Sequence, residues 1–254
     1  MVSNPLIHAF IQARMSSTRF PGKALAPLYG RPIIAHVISQ VGQVIPSDQI
    51  TVATSTDQSD DPLASYVRDI GISVYRGPLD EVFTRFQLCL KEYPCTWFFR
   101  VCGDSPILER ALFQAALSYS DRQDVDLVTN VFPRTFPIGK SVEMLKSEVF
   151  AAIDPNLLTP EEKEHLTMVY YNQPSKFGII NIQSTDPELA EMNFSINTFE
   201  DLRRLENNLR SGANMSIEEK IGVDVAGPEV DGERASPNCI GCTSFKKISR
   251  STKR

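Results

Sequence analysis

The chain has 254 residues, 42% of them hydrophobic, and a formal net charge of −5 at pH 7. That length supports one large domain with a sizeable core or two small ones, and the charge excludes a global basic field that would recruit nucleic acid or an acidic membrane. Five cysteines, an odd number, do not read as a secreted disulfide framework, so the expectation is a cytoplasmic protein with no nucleic-acid or membrane partner.

The first residues, MVSNPLIHAF, carry no basic region and no long apolar run, and no stretch approaches the roughly 18 apolar residues of a membrane helix. Leu6 to Gln12 has the length and composition of a buried strand. Arg31 to Val44 reads as a helix, with Pro32 near its first turn and Ile33, Ile34, Val37, Ile38 and Val41 on one side. A short strand follows at Gln49 to Ala53, then a helix from Pro62 to Gly71, where the glycine ends it. Ile72 to Tyr75 is a third strand. Leu79 to Glu92 is a helix with Val82, Phe83, Phe86 and Leu90 at helical spacing. Thr96 to Val101, TWFFRV, is a fourth strand, Arg110 to Ser120 a helix, and Asp126 to Val131 a fifth strand. This alternation predicts an α/β fold: a mostly parallel sheet with helices on both faces. Beyond Thr135 the pattern loosens into what reads as a substrate-side extension on the same sheet. From about Gly222 the composition turns to Gly, Pro and charge. The expected organisation is one domain over residues 1–215, then a linker and disordered tail over 216–254.

Ligands of such sheets sit beyond the C-terminal ends of the strands. The loop that leaves the first strand there, ARMSSTRFPGK, is long for a strand-to-helix connection. It holds Arg14, Arg19 and Lys23 among small hydroxyl residues on an otherwise acidic chain. Glycine and serine let backbone N–H groups approach an anion, and the cations add charge. It is not a Walker A loop, because Ser17 and Ala24 stand where that motif needs Gly and Ser or Thr. A second constellation is RVCGDSPIL, residues 100–108. Its Asp104 follows the fourth strand directly and projects at the same edge, where a divalent metal facing a polyphosphate would be held.

IQARMSSTRFPGK followed by GRP, RGPLDEVFTRF, RVCGDSPIL and EKEH resemble the spore coat polysaccharide biosynthesis protein F family, from residue 5 to about 210. That family is similar to the cytidylyltransferases that make CMP-octulosonate and CMP-sialate. The resemblance implies a nucleotide-diphospho-sugar transferase-like (Rossmann-like) fold, CTP and a sugar-like acceptor as substrates, Mg²⁺, pyrophosphate release, and a homodimer. Carried over by position, Arg14, Ser17, Arg19 and Lys23 bind the triphosphate, with Arg19, Lys23 and Asp104 catalytic and Asp104 on the metal. Such chemistry asks mainly for charge neutralisation and in-line positioning, which Arg, Lys and Mg²⁺ supply.

Departures from the resembled pattern are informative. A second metal-binding Asp is replaced by Asn197 in SINTFEDL; its amide oxygen can coordinate a hard cation without adding charge, or the residue is structural. Glu200 and Asp201 read as a helix N-terminus. A G-x-D-V-E run becomes GKSVE, with Ser141 for the acid and Glu143 retained, in a region that should line the acceptor pocket. Glu164 and His165 match an E-H-x-T motif. They are placed with the acceptor, where His165 either orients it, acts as a base, or belongs to a helix start. His36 reads as packed, and His8 carries no signal. Cys239 and Cys242 form one CxxC, half a zinc site at best. Two other readings stay open: a glycosyltransferase, whose Asp-x-Asp motif Asp124-Val125-Asp126 reads instead as a helix-to-strand connector, and a non-catalytic nucleotide-binding protein.

Overall fold

Strand β1 (Ile7–Gln12) runs into a long loop that contains the hairpin β2 (Pro27–Leu28) and β3 (Arg31–Pro32). Helix α1 (Ile33–Val41) then leads to β4 (Ile50–Ser55), α2 (Asp61–Asp69) to β5 (Ser73–Gly77), and α3 (Val82–Glu92) to β6 (Trp97–Cys102). Helix α4 (Arg110–Leu117) precedes β7 (Leu127–Thr129) and β8 (Glu143–Lys146). Short helices α5 (Ser147–Ala152), α6 (Pro160–Glu164) and α7 (Met168–Asn172) follow, then β9 (Ile179–Asn181), β10 (Gln183–Ser184), α8 (Phe199–Arg210) and β11 (Ile221–Gly222). This is a computed structural model, and it describes residues 5–212, 216–217 and 221–222.

The main sheet has seven strands in the order β5-β4-β1-β6-β8-β7-β9. All run parallel except β8, which lies antiparallel to both β6 and β7. The central strands are buried on both faces, and alternate residues feed two cores. Ala9 and Ile11 of β1 and Trp97, Phe99 and Val101 of β6 pack with α1, α2 and α4. Phe10 and Phe98 face the other way, against α3, Phe150 of α5 and Tyr170 of α7. The expected mostly parallel sheet with helices on both faces is therefore the one observed.

One expectation needs correction. Helix α1 starts at Ile33 rather than Arg31, because Arg31 and Pro32 pair with Leu28 and Pro27 across a turn at Tyr29 and Gly30. Pro32 is extended, at φ −53° and ψ 143°, and so cannot occupy the first helical turn. The region beyond Thr135 builds on the same sheet, as expected: it supplies β9 at one edge and β8, which lies between β6 and β7. Two pieces past the expected boundary at 215 lie on the same body. Ile217 is buried in the larger core, and Ile221 pairs with Ser184 of β10. Cys239, Cys242 and the rest of the expected tail lie outside the described residues. A third apolar cluster joins Leu28 and Ile33 to Phe194, Ile196, Leu202 and Leu205. It fixes the 194–197 segment and α8 beneath the hairpin, facing the end of β1.

Candidate active site

The loop after β1 is anchored at both ends. Asp60, fully buried ahead of α2, accepts from the Met15 amide at 2.6 Å, from the Ser55 amide at 3.0 Å, and from the Ser55 hydroxyl. The Gly22 amide donates to the Met15 carbonyl at 2.8 Å, which closes residues 15–22 into a ring. On its far side the loop meets the turn after β6. The Gly103 amide donates to the Gln12 carbonyl at 2.9 Å, and a Cβ at 103 would lie 2.8 Å from that of Ala13. Only glycine lets the turn that carries Asp104 lie this close to the exit of β1.

The loop cations then converge. Lys23 Nζ donates to Asp104 Oδ2 at 2.7 Å and to the Ile196 carbonyl at 3.1 Å. Arg19 Nη2 donates to Asn197 Oδ1 at 2.8 Å. The Ile196 amide donates to the Asp104 carbonyl at 2.9 Å, so Asp104 and Asn197 are held side by side. Asn197 is oriented by its own amide donation to Ser195 Oγ at 2.9 Å. Arg14 stands apart from this group, 3.9 Å from the exposed Glu164. Ser17 is half-buried in the same loop. Four polar residues from three segments, Arg19, Lys23, Asp104 and Asn197, thus form one cluster. Asp201 serves the chain elsewhere: it completes a reciprocal cap with Thr198 at the start of α8, as expected of a helix N-terminus.

Beside the cluster is a cavity of about 40 Å³, lined by Arg100, Asp104, Arg134, Ser141, Glu143 and Ser195 among others. Glu143 lines it with both oxygens engaged, one by Arg100 at 3.0 Å and the other by the Tyr171 hydroxyl at 2.7 Å. Arg100 is further held by Gln12 Oε1 at 3.0 Å. Its side chain and that of Glu143 are 7% and 2% exposed, so this is a rigid buried ion pair. His165, at the C-terminal end of α6, is half-buried near the same pair; burial moves its pKa below the usual histidine value, against the raising field of Glu164. A neutral imidazole near pH 7 can accept a proton. His36 bonds the Leu28 carbonyl at 2.7 Å and is a packing residue, as expected. Asp126 accepts from the Gly178 amide at 2.8 Å, which keeps the Asp124–Asp126 run a connector into β7.

Sequence reasoning passed over Asp60, Arg100, Tyr171 and Arg134. Arg100 had a readable signal: it is the lone cation in the apolar run TWFFRV. Asp60 had a weak one, an acid just ahead of a helix that starts with Asp61-Pro62.

A sequence model described as Cytidylyltransferase matches residues 8–217. The chain belongs to the cytidylyltransferase family. It is a nucleotidyltransferase with the nucleotide-diphospho-sugar transferase fold. The chain is 26% identical over 199 residues to the spore coat polysaccharide biosynthesis protein SpsF of Bacillus subtilis, covering 75% of this chain and 81% of that one. It is 28% identical over 250 residues to a 3-deoxy-manno-octulosonate cytidylyltransferase of Geobacter sulfurreducens, covering 86% and 94%. In structure it is similar to a cytidylyltransferase from Leptospira borgpetersenii, with a TM-score of 0.76, 24% identity, and coverage of 84% and 90%.

For this cytidylyltransferase the donor set available to a metal is small. Asp104 contributes one carboxylate and Asn197 one amide oxygen, both hard donors, and both already accept from loop cations. Among the described residues no three His, Cys, Asp or Glu side chains cluster. Such a pair suits a magnesium ion that brings most of its oxygens with it, as phosphates and water. No helix among the described residues is long and apolar enough to cross a membrane.

Proposed function

We propose that the chain transfers CMP from CTP to a sugar-like acceptor and releases pyrophosphate, in the cytoplasm and in the service of polysaccharide or surface-glycan synthesis. The observation that carries this reading is the convergence of Arg19 and Lys23 with Asn197 and Asp104 at the C-terminal edge of β1 and β6, beside a cavity. The names of the relatives, a spore coat polysaccharide protein and a sugar-acid cytidylyltransferase, support the pathway class and the nucleotide.

In this reading the triphosphate lies along the loop. Arg14, Ser17, Arg19 and Lys23 bind it, and the cations meet the charge that builds on the departing pyrophosphate. With phosphate bound, Lys23 would exchange its contact with Asp104 for one with phosphate, and Asp104 and Asn197 are the residues that would hold Mg²⁺. The ion supplies charge neutralisation and alignment of the reacting oxygens when bound. The acceptor lies over the cavity, whose volume takes only one small group, and Glu143 shapes its wall through Arg100 and Tyr171. Glu164, 3.9 Å from Arg14, and His165 serve the acceptor in this reading, and neutral His165 takes the acceptor proton.

The test is CTP-dependent pyrophosphate release across acidic sugars, amino sugars and phosphonates, with and without Mg²⁺. The expected result is turnover with one acceptor class, dependent on both CTP and the ion. CTP binding without turnover on any acceptor would instead make the chain a non-catalytic nucleotide binder.

A further inference from the structure

The connection between β6 and α4 carries two acids, Asp104 and Glu109. Asp104 faces the loop cations. Glu109 stands at the N-cap of α4, where an acid ordinarily accepts from the first amides of the helix, yet its side chain makes no such bond. It is buried instead, and its carboxylate joins two distant parts of the chain. Oε2 accepts from Lys140 Nζ at 2.8 Å and from the Ile217 amide at 3.0 Å, and Oε1 accepts from the Ser216 hydroxyl at 3.4 Å. Lys140 is 1% exposed, with the Phe194 ring 5.5 Å from its ammonium. A lysine this far out of water depends on its acid.

Lys140 lies between two residues of the cavity wall, Gly139 and Ser141. The end of the sheet holds that wall from two sides. Asn130, fully buried just after β7, donates to the Lys140 carbonyl at 2.9 Å and accepts from the Val142 amide at 2.9 Å, so it grips both flanks of Ser141. Gly139, at φ +92°, sits so close to the strip leading to Asn197 that a Cβ would lie 2.5 Å from the Ser195 nitrogen. The third hold is Glu109 on Lys140, and it leads out of the sheet to the chain after α8. There Ile217 is buried in the larger core, and Ile221 pairs with Ser184 of β10. Lys140 and Ile217 share one carboxylate oxygen, so a shift of either moves the acid that holds the other.

We propose that Glu109 is a positioning residue of the acceptor wall: it sets Gly139 and Ser141 through Lys140, and it makes their place depend on the seating of residues 216–217. The acceptor role of the wall rests on the proposed function, but the coupling itself can be read without substrate. An ion pair this deep adds little stability over packed apolar side chains, whereas its direction and length fix a register. The experiment is hydrogen exchange of the full chain, wild type against Ile217→Asp, Ile217→Ala and Glu109→Gln, with melting curves to confirm folding. Aspartate at 217 sets a like charge beside Glu109. Alanine keeps the backbone amide and loosens only the apolar anchor, so it carries the test where the aspartate variant unfolds. Exchange is followed in peptides spanning 137–142, where the Lys140 and Val142 amides donate to the Pro137 carbonyl and to Asn130, with β1 and β6 as the reference. The same variants are assayed for the KM of CTP and of the acceptor found by pyrophosphate release.

Each folded variant is expected to exchange about tenfold or more faster at 137–142, the size of one lost hydrogen bond, with β1 and β6 unchanged. The acceptor KM rises by about fivefold or more, while the KM of CTP stays within about twofold of the wild type. Unchanged exchange at 137–142 in folded Ile217→Ala or Glu109→Gln overturns the proposal. So does faster exchange throughout the sheet, or an equal rise in both KM values, since either makes the pair a support of the fold alone. The two readings stay apart: absent turnover with every acceptor counts against the proposed function, and the exchange result then decides the coupling by itself.

Discussion

Asp104 shows how much one residue is asked to do. It sits at the end of a buried strand, on a turn that only Gly103 lets approach β1, and its carboxylate meets Lys23 at 2.7 Å. In the proposed function that contact holds the lysine where the triphosphate would lie, and with nucleotide present the carboxylate would be a charged ligand offered to a metal. Asp104→Asn keeps the shape and removes the charge. Turnover of CTP is expected to fall on the order of a hundredfold or more, the size seen when one transition-state contact is lost. The melting temperature should hardly move, because the side chain lies at the rim. Near-normal turnover at low Mg²⁺ would show that the ion is held elsewhere. Asn197 accepts from Arg19 in the same way, and as a neutral residue it would offer a metal an oxygen without charge.

At the scale of elements, the loop after β1 is shaped by a residue outside it. Asp60 accepts three hydrogen bonds from Met15 and Ser55 while fully buried. Asp60→Ala leaves those donors without partners, so a loss of about 3 kcal/mol or more in stability is expected from chemical denaturation, with weaker CTP binding as the loop loosens. Binding and stability like the wild type would mean that the loop holds itself. The loop was legible in the sequence because its cations and glycine interrupt an apolar strand. Its anchor was not, since Asp60 lies 45 positions from the amide it holds. The four parallel strands near the N-terminus were legible for a similar reason: strands buried on both faces read as apolar runs. Strand β8 was hidden because its sequence, EMLK, begins and ends with charge. Both charges are buried in place, Glu143 by Arg100 and Tyr171, and Lys146 by the Gln123 carbonyl and Glu148. No local pattern announces the partners of Glu143, which lie 43 and 28 positions away. Arg134 was hidden likewise, although the missing acid at 141 was visible.

Across the whole molecule, the sheet is a platform whose C-terminal edge carries the chemistry and whose interior sets stability. His8, on β1, is 8% exposed, and its Nδ1 has no partner among the described residues. Burial holds its pKa below the usual value of 6.5, with Asp48 opposing weakly. The unfolded chain therefore takes up the proton first as the pH falls. The stability that comes from keeping His8 neutral is fully present above about pH 6.5 and is lost progressively as the pH drops toward the folded-state pKa. Melting temperatures measured between about pH 7.5 and 5 should decline on the acid side, and less steeply in His8→Gln. An identical slope in the variant would remove His8 from the account. The central claim concerns the edge rather than the interior: the β1 loop is built for a triphosphate. The most direct measurement is calorimetric titration of the wild type and Arg19→Ala with CTP and with CMP. Because Arg19 belongs to the loop that meets the outer phosphates, its removal should weaken CTP by roughly tenfold or more and leave CMP little changed. Equal losses for the two nucleotides, or no loss for either, would contradict it.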